Sequence, residues 1–214
     1  QQGLLVMEAG PEAEMDSDLY EQSQRRILKW YEMAQQFVEV SELADRLLAK
    51  YPNDISVMSA KAVSLYNQRL LEEAGPFISR LIELEPETIS WYDLRLEVLL
   101  TLETPELDLL ELTQRWVDEY EGDGRFHVLR AEWLIKFNDY VGAREEMKLA
   151  EAQGYRNTDV LNHSVLVFDQ LGNFNKADKA LKEAIELEPE NQRVYEVTVR
   201  RLWRASRLEE ARRI

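Results

Sequence analysis

The chain has 214 residues, 45% of them hydrophobic and 31% charged, and its formal charge of -15 opposes general binding to nucleic acid or to anionic membranes. It contains no cysteine, which excludes disulfides and thiol catalysis. Its aliphatic runs, such as Leu4 to Met7, are far shorter than a membrane span, so no membrane insertion is expected.

Residues 1–20 are predicted to form a leader that is partly helical or disordered. Further along the chain a five-residue motif, ELEPE, occurs twice, with its proline at Pro86 and again at Pro189. The two prolines are 103 residues apart, which is three periods of 34 plus one. A 34-residue repeat with one inserted residue would explain this distance.

Small residues and prolines follow the same period. Ala143, Ala177 and Ala211 are each 34 residues apart, as are Pro52 and Pro86. The inserted residue is placed between Pro86 and Ala143. A single array over 21–214 is therefore predicted, with units at about 21–54, 55–88, 89–123, 124–157 and 158–191 and a partial unit at 192–214.

Each unit is predicted to contain two helices, shown most clearly by 158–191. A first helix with an apolar stripe ends near Gly172, which can adopt the left-handed conformation of a helix C-cap. A second helix runs from about Asn175 and cannot continue past Pro189. Its alanines, Ala177 and Ala184, allow the two helices to approach closely.

The unit 89–123 departs from this pattern. Trp116 stands where a small residue is expected, which predicts unusual packing. The second helix of this unit is expected to have Thr104 as its N-cap and Pro105 in its first position.

The chain resembles the tetratricopeptide repeat family, whose units are 34-residue helix-turn-helix motifs. The resemblance covers about nine tenths of the chain. It implies an all-α, right-handed solenoid with a concave groove lined by the first helices, and it implies binding of a protein or peptide. The matching small, large apolar and turn residues are Ala62, Leu65, Ala74, Ile78, Pro86, Ala131, Leu134, Tyr140, Ala143, Ala150, Gly172, Ala177, Leu181, Ala184 and Pro189.

Carrying over the groove positions of the family gives a set of candidate partner-binding residues. The basic ones lie near the two ends of the array, so the expected partner is a segment with acidic flanks and an apolar or basic middle. Tyr66 is the expected anchor, with packing inside its own repeat as the alternative. The set is Arg25, Arg26, Lys29, Ser59, Val63, Tyr66, Asn67, Glu132, Asn162, His163, Leu166, Arg193, Arg200 and Arg204.

No catalytic, cofactor or metal site is predicted, and no small-molecule substrate. His127 is expected to be a hydrogen-bonded packing residue, and two histidines without cysteine make a poor metal site. A carboxylate clamp for chaperone tails does not fit, because Ser59 and Val63 stand at the positions of its basic and amide side chains.

The predicted function is a non-catalytic scaffold in a segment of a longer protein, because Ala211 falls early in a second helix and the sequence stops soon after it. The alternative is a regulatory or substrate-docking domain of a larger enzyme or of a secretion or assembly machine. A third hypothesis is RNA binding through 193–214, which holds seven arginines and three glutamates. Cytoplasmic and periplasmic locations are both compatible with the sequence, and the oligomeric state is left open.

Overall fold

In the computed structural model, which describes residues 11–204 and the side chains of residues 19–203, every regular element is an α-helix. The chain is thus an all-α helical repeat, as predicted. Within the described range no helix has both the length and the apolar character needed to cross a bilayer. The helices are α1 (Pro11–Met33), α2 (Phe37–Lys50), α3 (Ile55–Asn67), α4 (Leu71–Leu84), α5 (Ile89–Thr101), α6 (Glu106–Glu119), α7 (Gly124–Lys136), α8 (Tyr140–Ala152), α9 (Thr158–Gln170), α10 (Phe174–Leu187) and α11 (Gln192–Arg204).

The chain divides into two compact units between Glu103 and Thr104. In the first unit each helix from α1 to α5 packs on the next, and α1 also contacts α3. In the second unit the helices from α6 to α11 pack in the same way. There α7 contacts α9 and α9 contacts α11, so the first helices of successive repeats lie side by side. The boundaries of the individual repeats stay a prediction.

Left-handed backbone marks the turn between the two helices of each of the five complete repeats. The residues with positive φ at these turns are Gln35, Arg69, Glu103, Asn138 and Gly172, at φ values of 55° to 71°. Their spacings are 34, 34, 35 and 34 residues, which matches the predicted period and its single insertion. Gly172 adopts the predicted left-handed conformation, and the other four turns use side chains that tolerate it less readily.

The small residues of the repeat lie where the helices approach most closely. All of the predicted alanines in the described residues are completely buried, and Val40, which replaces an alanine in the first repeat, is 1% exposed. Because a methyl group fills little space, the paired helices come close enough to bury the large aliphatic residues beside it. These alanines are Ala62, Ala74, Ala131, Ala143, Ala150, Ala177 and Ala184.

The two copies of ELEPE share a further contact. The hydroxyl of Tyr92 donates to the carbonyl of Pro86 at 3.0 Å, and the hydroxyl of Tyr195 donates to the carbonyl of Pro189 at 2.6 Å. In both cases the tyrosine follows the proline by six residues. The proline therefore ends one helix, and its carbonyl fixes the position of the next.

The start of α6 differs from the prediction. The helix begins at Glu106, Pro105 occupies the capping position, and Thr104 is not the N-cap. The reason is the backbone of Pro105, whose ψ of 143° is extended and cannot belong to a helix. The Trp116 side chain is buried in α6, so a large aromatic residue does occupy the core at this position.

Candidate functional site

The candidate residues of the first unit lie on α1 and α3. Arg26 and Lys29 are exposed on α1, while Val63 and Asn67 are exposed on α3. Ser59 is half-buried on the same helix, and Asn67 donates its side-chain amide to the carbonyl of Val63 at 2.8 Å.

Two of the candidates in this unit have partners within the chain. Arg25 forms an ion pair with Asp54, which caps the start of α3, and its guanidinium lies 5.6 Å from the centre of the Tyr51 ring. Tyr66 is half-buried and packs against the core cluster that contains Leu65. Both residues therefore contribute to packing, and Arg26 and Lys29 are the basic side chains of α1 that are most available to a partner.

In the second unit, five of the candidates line one cleft between α9 and α11. This cleft has a volume of about 280 Å³. A sixth candidate, Glu132 on α7, places its carboxylate 3.4 Å from Nδ1 of His163. Arg204 ends α11, and its side chain lies outside the described residues. The five cleft residues are Asn162, His163, Leu166, Arg193 and Arg200.

Ion pairs connect the two walls of this cleft. Nη1 of Arg193 lies 3.0 Å from the carboxylate of Asp159, and Nε of Arg201 lies 2.9 Å from both oxygens of Asp169. Arg201 also pairs with Asp178 on α10. These contacts attach α11 to α9 and α10 by charge-assisted hydrogen bonds.

Asp169 and Arg201 line the cleft but are not among the predicted groove residues. The sequence can indicate some ion pairs of this kind. Asp159 and Arg193, which pair nearby, are 34 residues apart. Opposite charges one full period apart occupy the same position in successive repeats and so face each other. The pair of Asp169 and Arg201 is 32 residues apart, which this rule does not reach.

Asn162 differs from the other cleft residues in having a buried side-chain amide without hydrogen bonds. It is only 4% exposed, and both atoms of its side-chain amide are buried without a hydrogen-bond partner among the described residues. Buried amides are almost always paired, because an unpaired one loses its hydrogen bonds to water without replacement. Asn162 therefore has unused hydrogen-bonding capacity in one donor and one acceptor group.

His163 titrates below its ordinary range. Burial of the ring lowers the pKa of His163, the positive charge of Arg193 lowers it further, and Asp159 opposes the shift. The uncharged imidazole is thus the form that the folded chain prefers.

We expect the chain to lose stability as pH falls from 7.5 to 5.5. The unfolded chain has an ordinary histidine pKa of about 6.5 and binds a proton in this range, whereas the folded chain resists protonation of His163. The stabilisation is thus complete above the unfolded pKa and is lost as pH falls towards the lower folded one. Urea midpoints of the wild type and His163→Gln at both pH values test this. An equal loss in the two chains would contradict it.

His127, the other histidine, is a packing residue as predicted. Its Nδ1 is 2.7 Å from Oε2 of Glu146, and its Nε2 is 3.1 Å from the side-chain amide nitrogen of Gln153. A carboxylate can only accept and this amide nitrogen can only donate, so the ring donates from Nδ1 and accepts at Nε2. His127 is 7% exposed and has both ring nitrogens satisfied, which gives it a structural role between α7 and α8.

Comparison with known proteins identifies the fold. Residues 158–191 match the sequence model of the family described as tetratricopeptide repeat. No curated protein matches the chain.

Solved structures similar to the chain are helical repeat proteins of low sequence identity. TTC0263, a thermophilic TPR protein from Thermus thermophilus, is 15% identical with a TM-score of 0.58, over 91% of this chain and 100% of that one. MamA from Desulfovibrio magneticus RS-1 is 15% identical with a TM-score of 0.53, over 86% and 99% of the two chains. Pseudomonas aeruginosa pilF is 17% identical with a TM-score of 0.52, over 83% and 80%. These similarities show a shared fold.

Proposed function

We propose that this chain, a tetratricopeptide-repeat protein, is a non-catalytic scaffold that captures a segment of another protein along the first helices of its repeats. The fold is typical of protein-interaction scaffolds. One observation carries the finer proposal. Residues selected by carrying over the groove positions of the family, on two separate helices, line a single cleft between α9 and α11.

The chemistry of this face suits a protein segment. Its cleft combines apolar side chains such as Leu166 and Val197 with amide and guanidinium groups, the mixture that a peptide with varied side chains requires. The first unit offers groove residues of its own: Val63 on α3 is exposed and apolar, and Lys29 on α1 carries an exposed positive charge.

The ion pairs of α11 favour a protein partner over RNA. Arg193 and Arg201 are both paired with carboxylates of α9, so their charges are largely balanced within the chain. A surface that binds nucleic acid needs several uncompensated cations, because its affinity depends on contacts with phosphates. The overall charge of -15 repels a polyanion as well.

Matched charge reversals test the proposal. The affinity-tagged chain is used to capture partners from cells, and the captured protein is then titrated against Arg200→Glu and Lys179→Glu. Both changes replace an exposed cation by an anion, but Arg200 lines the cleft whereas Lys179 lies on α10 and does not. We expect Arg200→Glu to weaken binding by about tenfold or more, mainly at low salt, and Lys179→Glu to leave it unchanged.

In the first unit, Lys29→Glu and Tyr66→Ala complete the test. Lys29 is preferred to Arg25 for charge reversal, because reversal of Arg25 would also break its ion pair with Asp54. If the Lys179→Glu control weakens binding as much as the groove variants do, the partner uses the second helices and the proposal is wrong.

A further inference from the structure

The cleft between α9 and α11 is rich in charged side chains. Its lining includes three arginines and two acids, and two of the arginines also pair with Asp159 and Asp178, which are not lining residues. Four of these five groups are occupied within the chain, since Arg193 and Arg201 pair with aspartates and Glu196 accepts from Gln192 at 3.1 Å.

Arg200 is the remaining cation of the cleft. It is exposed, and no hydrogen bond or ion pair joins it to any other described side chain. A guanidinium in this state offers its N–H donors to a carboxylate in a planar, two-pronged geometry. This one guanidinium therefore fits one carboxylate of a ligand.

The amide of Asn162 adds a second requirement. Its oxygen can accept two hydrogen bonds and its nitrogen can donate two, and none of these is used within the described residues. A main-chain peptide group offers the complementary pair, an N–H donor and a carbonyl acceptor. The aliphatic side chains of Val165, Leu166 and Val197 lie beside these polar groups in the same cleft.

We propose that this cleft binds a peptide segment in which an aspartate or glutamate adjoins an aliphatic residue. Asn162 pairs with the peptide group between the two residues, Arg200 pairs with the carboxylate, and Leu166 and Val197 contact the aliphatic side chain. The assignment rests on the proposed function and names the acidic part of the captured segment.

Entry of the segment requires a side chain at the rim to move. The amide atoms of Asn162 each expose less than 1 Å² in the free chain. Arg200 is exposed and lines the cleft, and such a side chain changes rotamer within nanoseconds. In the proposed complex, movement of Arg200 admits the segment to the amide.

Synthetic peptides provide the probe. The parent peptide is fluorescein-labelled Ala-Ala-Leu-Glu-Ala-Ala-amide, and binding is followed by fluorescence anisotropy at low salt. One analogue replaces its glutamate by glutamine, and another carries an N-methyl group on the Leu–Glu peptide nitrogen, which removes the N–H donor. A third peptide, Ala-Ala-Ala-Leu with a free carboxylate, carries its only negative charge at the chain end.

Each change in the peptide has a matching change in the protein. We expect the wild type to bind the glutamine analogue about tenfold more weakly than the parent peptide. On Arg200→Gln the two peptides should bind with nearly the same affinity. The wild type should bind the N-methyl analogue about tenfold more weakly than the parent peptide, whereas Asn162→Leu should bind these two peptides with nearly the same affinity. Lys179→Gln, outside the cleft, should bind every peptide as the wild type does. Tighter binding of the free-carboxylate peptide would overturn the assignment to an internal acidic residue.

Asn162→Leu also separates a binding role from a structural one. Leucine has the same branching and number of side-chain heavy atoms as asparagine but no polar group to leave unpaired. We expect its thermal midpoint to equal or exceed that of the wild type while the parent peptide binds about tenfold more weakly. A lower midpoint would show that the amide stabilises the fold and would overturn the inference.

Different results would contradict peptide binding in the cleft and partner binding in the groove. If the parent peptide does not bind the wild type, or binds Asn162→Leu and Arg200→Gln equally well, the inference is wrong. Capture of a cellular partner that depends on Arg200→Glu but not on Lys179→Glu would still support the groove as the binding face.

Discussion

Replacing Glu146 by alanine is expected to lower the free energy of unfolding by about 3–5 kcal/mol, because it leaves a buried cation without its partner. The side chains of Glu146 and Arg130 are 15% and 16% exposed, and Nε of Arg130 donates to Oε1 of Glu146 at 2.9 Å. The other oxygen of the carboxylate accepts from His127. One side chain thus satisfies two others across the contact between α7 and α8.

The effect should extend to a third helix. Nη1 of Arg130 also donates to the carbonyl of Leu110 at 2.6 Å and to the hydroxyl of Thr113 at 2.8 Å, both on α6. Loss of Glu146 frees Arg130 to move, which would weaken the attachment of α6 as well. Urea unfolding followed by circular dichroism measures the change.

Glu145 provides the control for this experiment. It precedes Glu146 on the same helix and pairs only with surface partners, Arg144 and Lys148, with half of its side chain exposed. Glu145→Ala removes the same carboxylate from solvent-exposed pairs, which contribute little to stability. Similar midpoints for the two variants would show that the buried network does not stabilise the unit.

The helices of this chain could be predicted from sequence because each depends on local chemistry. Gly172 permits a left-handed turn, Pro189 ends a helix, and Ala177 allows close approach, wherever the neighbouring repeat lies. The groove residues of α9 and α11 were selected in a different way, by carrying over the groove positions of the family that the chain resembles. Their approach to one cleft follows from the contact between successive first helices.

Side-chain pairing could not be predicted in this way. The sequence does not show that Arg130 and Glu146 form a pair, because periodicity gives the face of a helix but not the partner opposite it. Arg25 was placed in the groove from the family's groove positions, yet Asp54 is close enough to pair with it. The unpaired amide of Asn162 was equally hidden, since pairing depends on atomic positions that differ by an ångström or less.

The roles of the two glycines that flank Asp123 could not be predicted from sequence either. Composition alone does not distinguish their roles, because glycine serves both turns and close contacts. Gly122 is a turn residue, with φ at 88° and open space where a Cβ would lie. Gly124 begins α7 with no left-handed backbone, and a Cβ there would lie 2.5 Å from Cβ of Tyr155 and 3.0 Å from the carbonyl oxygen of Ala150. Gly124 is thus required for close approach to the end of α8.

Gly124→Ala is accordingly expected to lower the free energy of unfolding by about 3 kcal/mol, near the upper end for overpacking of a core. The added methyl group meets backbone atoms of Ala150, which cannot rotate away as the end of a flexible side chain can. Gly75→Ala is the control, because Gly75 lies within α4 with no atom near its Cβ position. There alanine, the better helix former, should stabilise the chain by up to about 1 kcal/mol. The two changes add the same methyl group and should shift the urea midpoint in opposite directions. A Gly124→Ala chain as stable as the wild type would mean that α7 and α8 separate easily at this end, contrary to the close contact assigned to Gly124.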